Sequence, residues 1–224
     1  MGQSHGGMLL NKDKGDIKFL NADRNIVKEE IVLPEGEKGK LAFVLHNVIS
    51  REECQSIIDD TEKRGYDVAL LNVGQDKQAL VTEVRNSKRC IIDSVEYADE
   101  LWSKIKEFVP EVFKGRKILG LNERLRFLRY EPGDYFRCHL DGSFVRDNGE
   151  TSLITLMLYL NEDFEGGATT FIGRDDSKVP LIPKTGSVLL FEHFIYHEGS
   201  EVIKGRKYAM RTDIMASKST GQVR

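Results

Sequence analysis

From Leu121 onward the chain reads as short apolar stretches cut by glycines, and this constrains its fold more than any other feature. Residues 124–130, 135–141, 152–161, 168–172, 187–191 and 208–215 each have the length and composition of a strand. Gly133, Gly142, Gly149, Gly166, Gly167, Gly173, Gly186, Gly199 and Gly205 punctuate them. Many short strands at such intervals point to an all-β sandwich or barrel of the jelly-roll kind for this half.

The front half is patterned differently. Residues 41–45 form a first apolar strand, and Ser50-Arg-Glu-Glu53 is a capping-box sequence in which Ser50 and Glu53 satisfy each other's free backbone N–H groups. Cys54, Ile57, Ile58 and Thr61 then recur at helical spacing, and Gly65 supplies a stop. Residues 66–89 are polar and read as a solvated connection, with a substrate-side loop or hairpin as the alternative. Asp93 or Ser94 caps a second helix with an apolar stripe of Ala98, Leu101, Trp102, Ile105, Phe108 and Val109, ended by Pro110. Two amphipathic helices ahead of a strand-rich half predict an α+β arrangement, with helices packed on one face of a sheet. The expected organisation is a leader over residues 1–20, a support region over 21–120, a catalytic core over 121–216 within the same domain, and a frayed tail over 217–224.

At 224 residues the chain is long enough for one substantial core. A net charge of -3 gives no electrostatic reason to expect nucleic-acid binding. No apolar run is long enough to cross a bilayer, and Met8-Leu9-Leu10 is too short for the apolar region of a secretory signal, so no membrane association is expected. Cys54, Cys90 and Cys138 are widely spaced and odd in number, which reads as reduced thiols in a cytoplasmic or nuclear protein.

The most chemical residues converge on residues 130–141. His139 and Asp141 are two apart, so on an extended strand both side chains face one way and can grip a single metal ion. A third ligand has to come from elsewhere, and His197 follows a second apolar run, 187–191. Two histidines and one carboxylate leave coordination positions open, the arrangement of non-haem Fe(II) oxygenases. Taken alone, His-x-Asp is more often an ordinary hydrogen-bonded pair, and the same donor set also holds catalytic zinc in hydrolases. His193 competes for the same role, because residues 191, 193, 195 and 197 would share one face of a regular strand. Position alone leaves the two open.

The order of the motifs resembles the 2-oxoglutarate- and Fe(II)-dependent dioxygenases, and within them the prolyl 4-hydroxylase-like branch. The matching pieces are Arg129-Tyr-Glu-Pro-Gly133, His139-Leu-Asp-Gly142, Leu158-Tyr-Leu-Asn161, Glu165-Gly-Gly-Ala-Thr-Thr-Phe171, Pro183-Lys-Thr-Gly-Ser187, His197-Glu-Gly199 and Arg206-Lys-Tyr208. The resemblance implies a distorted double-stranded β-helix with N-terminal helices against its major sheet. It implies that His139, Asp141 and His197 hold Fe(II), that 2-oxoglutarate and O2 are cosubstrates, and that ascorbate supports activity. Through the spacing from His197-Glu-Gly199 to Lys207, the resemblance implies His197 and leaves His193 as a structural or pocket-lining residue. It assigns the far carboxylate of 2-oxoglutarate to Lys207, with Arg206 as runner-up. The two alternate in direction along a strand, so only one can reach inward. By the same resemblance Tyr159 helps bind that carboxylate, and Tyr130 and Thr170 line the cosubstrate pocket. The implied activity is hydroxylation of an unactivated C–H bond, foremost on a prolyl residue of a protein or peptide, with release of succinate and CO2. A free amino acid or other small molecule is the alternative substrate, and a non-catalytic metal-binding interaction domain the alternative function. Arg85 and the loop 142–151 are the candidates for meeting the substrate.

Overall fold

The computed structural model describes residues 25–69, 71–72, 78–79, 81 and 83–219. The expected leader, 1–20, lies outside them, as does the tail beyond residue 219. Among the described residues the main layer is a ten-stranded antiparallel sheet. Its central order runs Val27–Glu30, Ala42–His46, Val188–Glu192, Thr151–Tyr159, Lys207–Ala216, Arg124–Tyr130, Lys88–Asp93 and Asp67–Val68. A four-stranded sheet of Phe136–His139, His197–Gly199, Thr169–Ile172 and Lys178–Leu181 faces it. These are the two walls of a double-stranded β-helix.

Alternation along the strands sorts side chains to the two faces of the main sheet. Outward from the barrel, Phe43, Leu45, Phe127, Ile154, Leu156, Leu190, Met210 and Ile214 are buried against the helices. Helix α1 (Arg51–Arg64) contributes Cys54, Ile57 and Ile58, and helix α2 (Val95–Ile105) contributes Tyr97, Leu101 and Ile105. Each such side chain, fully buried, contributes roughly 1.5–3 kcal/mol of transfer free energy. Inward, Ala42, Val44, Leu189, Phe191 and Ala209 meet Phe171 of the smaller sheet, whose ring stands edge-on to that of Phe191 at 5.4 Å. This second core spaces the two sheets and leaves one end of the barrel for polar groups.

Both helix starts follow from sequence. The Ser50 hydroxyl accepts from the Glu53 N–H at 3.0 Å, and the Glu53 carboxylate accepts from the Ser50 N–H at 2.6 Å. Of the two candidate caps for α2, the structure uses Ser94, whose hydroxyl accepts from Tyr97 N–H at 3.1 Å. Gly186 is required where α1 meets the barrel. Its φ is +75°, its N–H donates to Tyr159 O, and its carbonyl accepts from the N–H groups of Val48 and Ile49. A Cβ there would stand 2.1 Å from the Ile49 carbonyl oxygen.

Three expectations need correction. Residues 66–89 are more than a solvated connection, because the main sheet continues into them: Lys88–Asp93 pairs with residues 124–129, and Asp67–Val68 pairs with Lys88 and Arg89 at its start. The sequence Lys-Arg-Cys-Ile-Ile-Asp hides this strand, because only Cys90 and Ile92 turn to the helix-side core while Arg89, Ile91 and Asp93 take the other face. The tail begins later than expected, since Ser217 N–H donates to Lys117 O at 2.8 Å. His193 and His197 do not share a strand, because the chain leaves the main sheet after Glu192 and enters the smaller one at His197.

Candidate metal and cosubstrate site

His139 ends its strand directly opposite His197 on the neighbouring strand. Asp141 follows in the loop, its N–H held by the carbonyl of His193 at 3.0 Å. His139 Nε2 lies 3.7 Å from one carboxylate oxygen of Asp141, and His197 Nε2 lies 3.7 Å from the other. One potential ligand atom from each of the three residues falls within 4.8 Å of the other two. Asp141 and His197 are buried and His139 is partly so.

The donor set fits a divalent metal. Nδ1 of His139 lies 2.7 Å from the Arg137 carbonyl, and Nδ1 of His197 lies 2.9 Å from that of Ile195. A carbonyl only accepts, so each Nδ1 carries the proton and each Nε2 presents its lone pair toward the Asp141 carboxylate. Burial and the neighbouring His197 push His139 down to about 3, and burial is also the main cause that lowers His197. Both rings are therefore uncharged at neutral pH, as ligands must be. Burial raises Asp141, but Arg211 foremost, then His197 and His139, outweigh it and hold the carboxyl well below the usual carboxylate range.

Around Asp141 the hydrogen bonds run in one direction. Thr155 donates its hydroxyl proton to the carboxylate at 2.6 Å, so it must accept from His193 Nδ1 at 2.9 Å. His193 Nε2, left as the acceptor, takes the proton of Ser152 at 2.9 Å. Both ring nitrogens of His193 are thus occupied, and it is a structural histidine that orients the metal-side carboxylate through Thr155.

A cavity opens beside these residues, lined among others by Tyr130, Phe136, Thr169, Lys207 and Arg211. Lys207 is buried, and Nζ donates to the Gly167 carbonyl at 2.7 Å, with the rings of Tyr130 and Tyr159 at 5.2 and 5.7 Å. No carboxylate among the described residues pairs with it, and burial lowers it to about 7. Arg206 points out of the barrel, exposed, and binds Glu131 at 3.0 Å. Tyr159 is fully buried and donates to Thr169 Oγ1 at 2.7 Å. Thr169, not the expected Thr170, lines the cavity, whereas Thr170 faces the other side of its strand and pairs with Ser200 at 2.9 Å. Arg85 does line the cavity, its guanidinium 4.8 Å from the centre of the Phe136 ring. Thr155, Arg126 and Arg211 carry no sequence motif, whereas Thr169 sits in Glu165-Gly-Gly-Ala-Thr-Thr-Phe171, one residue before the expected Thr170. The one available signal was that Arg211, four residues from Lys207, shares its face of the strand.

A double-stranded β-helix with two imidazoles and a carboxylate at the open end of its barrel defines the class of mononuclear metal oxygenases. Residues 125–212 match the 2OG-Fe(II) oxygenase superfamily. A putative prolyl 4-hydroxylase of Acanthamoeba polyphaga mimivirus is 27% identical over 191 residues, which is 74% of this chain and 70% of the relative. Prolyl 4-hydroxylase 1 of Arabidopsis thaliana is 26% identical over 200 residues, 80% of this chain and 69% of the relative. The fold is shared with the viral collagen prolyl hydroxylase of Paramecium Bursaria Chlorella virus-1, solved with 2OG. That match has a TM-score of 0.57 and 23% identity, and covers 80% of this chain and 97% of the other. A Trichoplax adhaerens prolyl hydroxylase, solved with a hypoxia inducible factor peptide, has a TM-score of 0.63 at 15% identity, over 80% of this chain and 84% of the other. The likeness is thus to the 2OG-Fe(II) oxygenase superfamily over residues 125–212, and the curated relatives are prolyl 4-hydroxylases at 26–27% identity.

Proposed function

We propose that this protein is an Fe(II)- and 2-oxoglutarate-dependent dioxygenase that hydroxylates a prolyl residue of a protein or peptide. One oxygen atom of O2 enters the C–H bond and the other enters succinate as 2-oxoglutarate loses CO2. The observation that carries the reading is Lys207: a buried amine, unmatched by any described carboxylate, in the same cavity as two imidazoles and a carboxylate.

In this reading His139, Asp141 and His197 hold the metal. Bound Fe(II) supplies the redox chemistry that couples decarboxylation of 2-oxoglutarate to oxygen insertion. Lys207 binds the far carboxylate, which brings the counter-charge that keeps the Nζ proton in place. Tyr130 and Thr169 shape the channel between them, and Tyr159 acts through its bond to Thr169. Phe136, stacked on His139 at 3.6 Å, and Phe191, edge-on to His197 at 4.6 Å, fix the imidazoles and keep water from their faces. No side chain is needed as nucleophile. Residues 121–216 act as the catalytic core and 21–120 as its support. Cys54, Cys90 and Cys138 form no disulfide, and Cys138 is exposed, which suits the reducing cytoplasm.

Anaerobic protein supplied with Fe(II), 2-oxoglutarate and ascorbate should form succinate when O2 is admitted. Proline-containing peptides incubated with it should gain one oxygen by mass spectrometry. Activity with zinc in place of iron, or none with iron, would sink the assignment.

A further inference from the structure

The cavity holds more positive charge than the metal and cosubstrate can use. Fe(II), Asp141, a 2-oxoglutarate dianion and the Lys207 ammonium together are neutral. Arg85, Arg126 and Arg211 remain on the lining. Asp213 answers the last two, at 3.4 Å from Arg126 and 3.1 Å from Arg211, and Glu198, the other carboxylate on the wall, is engaged with Lys178 at 3.5 Å. Arg85 has no carboxylate partner among the described residues. Its Nε donates to the Ser87 hydroxyl at 2.8 Å, and its guanidinium lies against the Phe136 ring that itself stacks on His139. Nε of Arg211 is shielded from solvent and has no hydrogen-bond partner.

These cations lie away from the end where the far carboxylate would bind. Lys207 and Arg211 both face inward from one strand, four residues and so about 13 Å apart. Arg211 touches Asp141, and Arg85 is one aromatic ring removed from His139. A planar guanidinium is suited to a carboxylate, and a group held there would lie beside the metal ligands, at the level of the carbon to be oxidised.

We propose that the substrate carries a carboxylate next to the residue that is hydroxylated, and that Arg85, with Arg126 and Arg211 behind it, binds that group. The proposal rests on the oxygenase reading above and narrows it. The carboxylate can be an aspartate or glutamate side chain flanking the target proline, or the α-carboxylate of a free amino acid.

The probes are a short peptide with one proline flanked by aspartates, its twin with asparagines, L-proline and L-prolinamide. Binding to protein loaded with Mn(II) and 2-oxoglutarate is measured by calorimetry, and succinate formation is measured separately with Fe(II). We expect the aspartate peptide to bind roughly tenfold tighter than its twin, a preference that Arg85→Gln collapses and Arg85→Lys partly restores. A comparable preference for proline over prolinamide, with the two peptides alike, assigns the carboxylate to a free amino acid. The proposal is overturned if neither acid is preferred, or if the preference survives both Arg85→Gln and Arg126→Gln. Because the Mn(II) measurement needs no turnover, a failure to form succinate overturns only the oxygenase reading.

Discussion

Nη2 of Arg211 stands 3.1 Å from Oδ1 of Asp141 and 3.1 Å from Oδ1 of Asp213, so one guanidinium ties the metal-side carboxylate to a second buried acid. It does so from the same face of the strand that carries Lys207. Among the influences that keep Asp141 ionised against its burial, Arg211 is the largest. The charge also helps keep both imidazoles neutral.

Replacing that guanidinium should therefore move metal binding along the pH axis. Both the carboxyl and the imidazoles have depressed values, so the ligand-competent forms are lost only as pH falls far into the acid range. In Arg211→Met all three ligands protonate more readily, and the acid limb of Mn(II) binding should shift upward by roughly one pH unit. An unchanged limb would show that Arg211 does not govern the ligands.

Lys207→Met should act in opposite directions on stability and on binding. Removal of a buried amine that no described carboxylate neutralises should stabilise the unliganded protein by on the order of 2 kcal/mol at neutral pH, read as a higher Tm. The same change should weaken 2-oxoglutarate binding by about 100-fold or more. In the parent protein the folded value of about 7 lies below the ordinary 10.5. Between the two, the unfolded chain binds more protons, so unliganded stability should rise with pH across that window. Affinity for 2-oxoglutarate should fall over the same interval, because the neutral amine must first take up a proton. Calorimetry in buffers of different ionisation enthalpy would detect that uptake.

His139→Ala or Asp141→Ala should abolish oxygen-dependent succinate formation and the rise in Tm that Mn(II) produces in the parent. His193→Gln should keep a Mn(II)-dependent rise while losing about 1–3 kcal/mol of stability, since it breaks the bonds to Thr155 and Ser152. Loss of metal binding in His193→Gln equal to that in His197→Ala would reverse the assignment of the two histidines.

Gly186→Ala should destabilise by about 3 kcal/mol or more, seen as a lower urea midpoint. Its left-handed backbone is unfavourable for alanine, and the added carbon collides with the Ile49 carbonyl rather than with a side chain that can move. A loss below about 1 kcal/mol would mean the loop between α1 and the barrel yields easily.

The motifs carried much of the site. His139 and Asp141 were readable from their His-x-Asp spacing, although the strand ends at His139 and Asp141 follows in the loop, and Lys207 was readable through the resemblance of Arg206-Lys-Tyr208. The choice between Lys207 and Arg206 could only be framed as an alternative, and the pairing of strands settled which side chain enters the barrel. Thr170 failed by one residue for the same reason: a strand with every residue buried shows no alternation, so its register was invisible. Lys88–Asp93 was missed because three of its six residues are charged and only Cys90 is buried, so local composition argues against a strand.

By itself the sequence determined the kinds of element, the helix caps and the set of residues able to bind a metal, because these depend on neighbours a few positions away. The tertiary structure alone decided that Arg85, Arg126 and Arg211 meet around one cavity and that His193 serves the carboxylate rather than a metal. Both follow from contacts between strands far apart in the chain, whose pairing and facing no local pattern records.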